Sequence, residues 1–490
     1  MNKFSDEQFI QPRICAEASQ ILLIAEQNLK FCSRPQRKTL WNGGKYEEEE
    51  CMNIVLLSGG SGKRLWPLSN DTRSKQFIKI FKTGEDEYES MVQRVYRQIL
   101  SVDEQAEVTI ATSKSQVSAI HNQLGEHVGI SVEPCRRDTF PAIALASAYL
   151  HDVRGVREED AVVVCPVDPY VEKDYFEALQ QLGSRALMSE ANLVLMGIEP
   201  TYPSAKYGYI IPEDTNVVSR VSVFKEKPTE EAAKDYIAQG ALWNGGVFAF
   251  RLGYVLQRAH ELIAFTGYQD LFDKYDTLTK ISFDYAVVEH ETQIEVMRFA
   301  GMWKDMGTWN TLTEAMASSS IGKAILNERC ENVHVVNELN VPVLCMGIKD
   351  AVVAASPEGI LVSDKNQSSY IKPFVDKIDQ QIMFAEKSWG SFQVIDIEEG
   401  SMTIKVTLNP GHGMNYHSHE LRDEVWTVID GQGKTIVDGE VRQVGPGDVI
   451  RMPAGVAHTI LAKTRLHVIE VQVGTEISVH DKKKLEMPCI

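Results

Sequence analysis

The chain has no C-x-x-C pair, no apolar run approaching ~18 residues and no basic-then-apolar leader at its N-terminus. These absences exclude a transmembrane helix and a signal peptide as read from sequence. The eight scattered cysteines (15, 32, 51, 135, 165, 330, 345 and 489) read as reduced, mostly buried thiols of a cytoplasmic protein. Positive charge is also short: the net charge of −18 argues against sequence-independent nucleic-acid binding. A phosphorylated ligand would have to meet cations gathered locally, or a recruited divalent metal. Apolar content of 43% and charged content of 24% are those of a soluble protein, and 490 residues allow two or three domains.

What is present begins with the stretch from Asn53 to Lys79, NIVLLSGGSGKRLWPLSNDTRSKQFIK. Its β-rich start predicts a strand. Gly59-Gly60-Ser61-Gly62 follows, where a backbone without Cβ atoms approaches a ligand closely. With Lys63, Arg64 and Lys75 beyond it, the loop suits a polyphosphate held by backbone N–H groups. Two familiar phosphate loops are ruled out. Walker A fails because Arg64 follows Lys63 and Leu57 holds its first glycine position, and G-x-G-x-x-G fails at Leu65. A glycine-rich turn alone is equally a simple surface turn. The longer pattern GGSGKRLWP…KQF resembles the signature of sugar-1-phosphate nucleotidyltransferases, with LWPLS and KQF resembling the mannose-1-phosphate guanylyltransferase branch. Ser74 stands where that family usually has proline, and a looser local backbone that keeps Lys75 is expected.

From Asn53 to about residue 321, short apolar runs alternate with amphipathic ones. VTIATS (108–113), AVVVCPVD (161–168) and LVLMGI (193–198) read as strands, and SQVSAIHNQLG and YFEALQQLGSRALMS as helices. The alternation predicts a layered α/β domain with a mainly parallel sheet and ligands at the carboxyl ends of its strands. EPCRRDTFPAIALASAYL (133–150) reads as a loop entering a helix capped by Asp138 or Thr139. The resemblance implies that this segment lines the nucleotide, through Arg137 or its neighbour Arg136; a solvated basic pair is the alternative.

Asp168 ends an apolar strand before a proline, so its carboxylate projects from the sheet edge as a turn residue or a site residue. The resemblance implies a Mg²⁺ ligand there, completed by Asp305 in MWKDMGTW (302–309), since Mg²⁺ takes one or two carboxylates plus phosphate oxygens. It further implies sugar-phosphate contacts from Gly208 and Tyr209 in AKYGYI, Glu226 and Lys227 in VFKEKP, and Asn244 in WNGG. Glu289 of FDYAVVEH is a further candidate, and Lys227 taken singly is a surface lysine.

Residues 322–385 change to short β runs parted by turns, an all-β linker domain that the resemblance implies to be β-helix-like, for spacing or dimer contact. Residues 386–490 carry a second signal. Gly411 is followed by His417, His419, Glu424 and Gly431, and Gly447 by Pro453, Gly455 and His458, a spacing that resembles the two cupin motifs. Ala462 replaces the final asparagine. On a strand His417 and His419 share a face, and with Glu424 and His458 they suit Zn²⁺, Fe²⁺, Mn²⁺ or Ni²⁺. The domain is similar to type II phosphomannose isomerase, but HSHELRDEVW is longer than that family's H-x-H-R-x-E-H-W. Its arginine and terminal motif are expected to be missing.

The fold expected is therefore α/β: a Rossmann-like nucleotidyltransferase domain (52–321), a β-helix-like linker (322–385) and a cupin β-barrel (386–490). Residues 1–51 match nothing in the resembling family, whose members begin near Met52. They are expected to be a mis-assigned start, the alternative being a helical arm at 16–29. The resemblance implies GMP transfer from GTP to mannose 1-phosphate in a homodimer, with no nucleic acid and no membrane. Arg64, Lys75 and Asp168 would carry the catalysis, and Gly59, Gly60, Gly62, Lys63 and Arg137 would hold the nucleotide. A bifunctional enzyme that also isomerises mannose 6-phosphate, or transfer to another sugar 1-phosphate, is the alternative.

Overall fold

The structure, a computed structural model, describes residues 39–42, 45–48, 51–60, 63–70, 72–85, 87–378 and 381–487. The arm expected at 16–29 and the glycine at position 62 lie outside the described residues. A nine-stranded sheet organises the first part of the chain. Its order is Leu193–Ile198, Ile294–Phe299, Val218–Lys225, Gly208–Pro212, Leu242–Arg251, Ala161–Pro166, Asn53–Ser58, Glu107–Ser113 and Gly129–Glu133. Asn53–Ser58 is central because its apolar residues are buried on both faces. Ile54 and Leu56 enter one core with Phe77 and Phe176, and Val55 enters the other with Ile143 and Phe248.

The last four strands in that order are parallel, and the helices Val117–Leu124 and Lys173–Met188 fall in the segments read as helical. The other half of the sheet is mixed, which corrects the expectation of a mainly parallel one. Leu242–Arg251 runs antiparallel to Ala161–Pro166, with Phe248 opposite Val164, and Gly208–Pro212 runs antiparallel to it in turn. The reversal has a use. Asn244 lies four residues before Phe248, beyond the carboxyl end of Ala161–Pro166, and Gly208 pairs with it. Both therefore reach the sheet edge where Asp168 emerges.

In the linker, short strands pair in parallel, Ala324–Leu326 with Val343–Cys345 and His334–Asn337 with Ala351–Ser356, and Gly359–Asp364 closes the set antiparallel. The C-terminal part is a six-stranded sheet facing a five-stranded one over Trp426, Leu408, Ile460 and Leu466. No helix among the described residues is long and apolar enough to cross a membrane.

Candidate functional site

Asp168 follows the strand Ala161–Pro166, and Asp305 closes Trp303–Asp305, which pairs antiparallel with Pro169–Val171. That pairing sets Asp305 opposite Pro169 and brings two carboxylates from distant motifs to one spot. Lys75 reaches the same spot. It opens a single turn, Lys75–Phe77, anchored by the buried Gln76 and Phe77. Its Nζ lies 2.5 Å from Asp168 Oδ2 and 3.9 Å from Asp305 Oδ1. Burial works against the ammonium charge, but Asp168 and then Asp305 outweigh it and raise the Lys75 pKa. Arg64 is exposed, and its charge bears on Lys75. Two carboxylates at one spot match the number that a Mg²⁺ ion takes alongside phosphate oxygens.

A buried amide network lies beneath the glycine loop. Gln76 Nε2 donates to Ser58 Oγ at 2.8 Å, and Thr112 Oγ1 donates to Gln116 Oε1 at 2.8 Å. Gln116 Nε2 donates to Ser74 Oγ at 2.7 Å, and that hydroxyl donates to Gly60 O at 3.1 Å. This corrects the expectation for Ser74. Its backbone sits at φ −69°, ψ 163°, where proline would also sit, and its side chain pins the loop. Gly60, at φ +107°, takes a conformation that favours glycine, and a Cβ at Gly59 or Gly60 would meet nothing within 4 Å. The loop therefore presents bare backbone.

The two arginines divide differently from the expectation. Arg136 Nη2 donates to Gly60 O at 3.2 Å, whereas Arg137 donates to the carbonyls of Tyr275 and Asp276. Arg137 braces a neighbouring turn, and the arginine on the glycine loop is Arg136. Lys63 pairs with Asp376 at 2.9 Å, so it faces the linker.

The sugar-side residues form a second cluster. Asn244 Nδ2 donates to Asp284 at 2.6 Å, while its Oδ1 accepts from Gly246 N at 3.0 Å. Glu226 pairs with Lys227 at 2.5 Å, and Glu226 Oε2 is buried without a partner. A Cβ on Gly208 would come within 2.5 Å of that oxygen, so a larger residue here would displace the Glu226 carboxylate. Lys227 adopts φ +44°, a left-handed conformation that costs roughly 1 kcal/mol or more in a residue with a Cβ. Tyr209 does not join the cluster with its side chain. It is fully buried, and its hydroxyl donates to Ser204 O and accepts from Trp243 Nε1. Strand alternation explains this, because Tyr209 faces away from the side that Gly208 shares with Asn244. Asp284, unremarked in the sequence, is pushed up to about 6 by burial and then by the charge of Glu226. Glu289, the candidate from the same motif, is exposed.

In the C-terminal barrel His417 and His458 pair across one sheet, while Glu424 comes from the other. One ligand atom from each of His417, His419, Glu424 and His458 lies within 4.8 Å of the others, and all four residues are buried. The Nδ1 atoms of the three histidines lie 2.6, 2.9 and 2.9 Å from the carbonyls of Asn415, Asp481 and Val456. Those contacts fix each ring with Nδ1 protonated and Nε2 turned inward, the tautomer a metal needs. Burial, then Lys482 and His458, lowers His417 to about 3, so it stays neutral. Burial alone would raise Glu424, but the close approach of His419 and His458, whose Nε2 atoms lie 3.0 and 3.2 Å from its two oxygens, outweighs it and lowers the carboxyl. The donor set fits a divalent transition metal. An arginine does reach this site, contrary to expectation: Arg422 Nε donates to Glu424 Oε1 at 3.1 Å, and Nη2 lies 3.2 Å from His419 Nε2. The i, i+2 spacing of Arg422 and Glu424 on one strand was the available signal.

Comparison with known proteins agrees with this geometry. The family described as "Nucleotidyl transferase" matches residues 53–320, and the family described as "Cupin domain" matches residues 404–472. The chain is similar to the mannose-1-phosphate guanylyltransferase of Escherichia coli, 29% identical over 470 residues that cover 87% of this chain and 96% of that one. It is 28% identical over 475 residues to the alginate biosynthesis protein AlgA of Pseudomonas aeruginosa, covering 88% of this chain and 96% of that one. A crystal structure from Thermus thermophilus, titled a mannose-1-phosphate geranyltransferase, superposes with a TM-score of 0.55 at 26% identity. The match covers 67% of this chain and 99% of that one. With the first match spanning more than half of its length, and the glycine loop, Lys75, Asp168 and Asp305 all inside it, the chain belongs to the nucleotidyl transferase family.

Proposed function

We propose that the chain transfers GMP from GTP to α-D-mannose 1-phosphate, releasing GDP-mannose and pyrophosphate. The observation that carries this reading is Lys75 Nζ seated between Asp168 and Asp305, beneath a glycine loop of bare backbone. A sugar-phosphate oxygen attacks the α-phosphorus in line, the bond to the bridging oxygen breaks, and pyrophosphate leaves with its electron pair. No covalent enzyme intermediate is required, so positioning and charge carry the rate. The loop amides at Gly59 and Gly60, with Arg136, hold the triphosphate; Lys75 and the exposed Arg64 meet the charge that develops on it. Asn244, Glu226, Lys227 and the backbone at Gly208 receive the sugar phosphate. Asp168 and Asp305 would hold Mg²⁺, which when bound neutralises phosphate charge.

Pyrophosphate release measured over four nucleoside triphosphates and several sugar 1-phosphates tests the reading. GTP with mannose 1-phosphate is expected to be the best pair by ~10-fold or more. A better rate with another pair would replace the substrates named here, and no release with any pair would remove the activity. Exposed apolar side chains along the linker, Ile360, Val362, Tyr370 and Phe374, support a homodimer built there. Sedimentation showing only monomer would discard it.

A second reading concerns the barrel. The inward-facing Nε2 atoms support a bound Zn²⁺, Fe²⁺, Mn²⁺ or Ni²⁺ held by His417, His419, Glu424 and His458. Fructose 6-phosphate conversion that His417→Ala abolishes and Arg64→Ala leaves unchanged would add isomerase activity to the enzyme.

A further inference from the structure

The segment between the glycine loop and Lys75 is held by its own domain, through Leu65 and Leu68 in the core and Trp309 Nε1 on Trp66 O, and also from outside it. Lys63 Nζ pairs with Asp376 Oδ1 at 2.9 Å, and Ser356 Oγ donates to Pro67 O at 2.7 Å. Asn70 Nδ2 donates to Glu358 Oε1 at 2.9 Å. Trp66 packs so close to Gly359 that a Cβ there would come within 2.6 Å of its ring. Arg73, two residues before Lys75, makes the strongest of these contacts. Its two Nη atoms donate to the two carboxylate oxygens of Glu338, each at 2.8 Å. The guanidinium also lies over the Phe384 ring, 5.1 Å from its centroid.

This joint extends toward the barrel. Glu358 Oε1 also accepts from the backbone N–H groups of Met383 and Phe384, at 3.0 and 3.1 Å. Glu338, Glu386 and Glu358 all act on the Arg73 charge and, together, outweigh the burial that opposes it. Removing the arginine would leave these carboxylates facing one another, and replacing it by lysine would keep the charge but lose the fork. Ser74, the next residue, carries the hydroxyl that pins Gly60, and Lys75 follows it.

We infer that the linker is a working part of the nucleotidyl-transfer site, and that Arg73, clamped by Glu338, is a positioning residue for Lys75 and the glycine loop. The inference rests on the transfer reading above. It requires that the loop geometry depend on residues 338–376, outside the span where every candidate transfer residue lies.

The test uses the full chain with Arg73→Lys, Glu338→Gln and the double variant, each checked for folding by circular dichroism and thermal unfolding. Pyrophosphate release then gives kcat and KM for both substrates well below the unfolding transition. Each single variant is expected to lower kcat ~10-fold or more with KM changed less, because a misplaced Lys75 affects the reacting phosphorus more than binding. The double variant is expected to be no worse than the poorer single one, as for residues acting as a unit. Variants that unfold at lower temperature yet keep wild-type kcat while folded would show a merely structural contact and overturn the inference. Ser356→Ala, which loses the bond to Pro67 O and the one its hydroxyl accepts from Glu358 N, leaves the Arg73–Glu338 pair intact and guards against misfolding caused by breaking that pair. It is expected to lower kcat in the same direction by a smaller factor, and an unchanged kcat counts against the inference. Absence of pyrophosphate release from the wild type would instead sink the transfer reading.

Discussion

Replacing Ser74 by alanine removes one oxygen that does two things: it donates to Gly60 O at 3.1 Å and accepts from Gln116 Nε2 at 2.7 Å. Ser74 and Gln116 are both buried, so water does not readily replace the lost partner. One hydrogen bond is worth about 1 kcal/mol net, and a buried amide N–H left unpaired costs about 1–3 kcal/mol more. The expected destabilisation is therefore about 2–4 kcal/mol, or roughly 4–16 °C in Tm for a domain of this size. Ser74→Pro is the sharper variant. At φ −69° the ring fits and restricts the unfolded chain, which returns about 0.4–1 kcal/mol, but both hydrogen bonds are still lost. Proline, which the resemblance implies at this position, is thus expected to destabilise this chain by about 1–3 kcal/mol and to lower kcat by freeing the loop. Thermal unfolding paired with pyrophosphate release measures both effects. A Ser74→Pro protein as stable and as fast as wild type would refute the tether.

Asp168→Asn and Asp305→Asn, taken singly, are expected to reduce kcat by ~10²–10³-fold, the scale of one lost charge contact in a transition state, and near-normal turnover of either excludes that residue. Asp284, raised to about 6 from an unfolded value near 3.8, holds more protons folded than unfolded between those pH values. Its contribution to stability is therefore fully present below pH ~4 and lost as pH rises through ~6, and Asp284→Asn is expected to flatten urea-unfolding stability across that window. Gly208→Ala, which sets a Cβ 2.5 Å from Glu226 Oε2, is expected to raise KM for the sugar phosphate more than that for the nucleotide. Purified protein is expected to carry about one transition-metal ion per chain by elemental analysis, and His458→Ala to lose most of it; equal metal in both assigns the ion elsewhere.

Several of these residues were legible before any coordinates because they stand where the chain's own punctuation puts them. Asp168 ends an apolar strand before a proline, so turn chemistry already aimed it at the sheet edge, while Lys75 and Asp305 were picked out by the motifs through which the chain resembles its family. What stayed hidden was which of two neighbours turns inward. Arg136 and Arg137 are adjacent and chemically identical, and only the placement of the turn at Tyr275 and Asp276 decides that Arg137 serves it. The burial of the Tyr209 ring was legible, since period-two alternation from Gly208 already sends it to the far face. Asp284 carries no local signal, because its partner Asn244 is 40 residues away and only the sheet register joins them.

The same logic separates the two metal-type sites. In the barrel, His417, His419, Glu424 and His458 converge from motifs whose spacing resembles that of cupins, so the cluster was visible in the sequence. At the proposed transfer site Asp168 follows a strand of the main sheet and Asp305 ends a short strand paired beside it, but Lys75 arrives on a loop whose course depends on Gln116, Glu338 and Ser356, none of them near it in sequence. A loop held by remote partners can differ between chains that share its motif, and the exchange of proline for serine at position 74 is such a difference. Rates among relatives with identical GGSGKRLWP and KQF segments should therefore track what holds the loop as well as the motif itself.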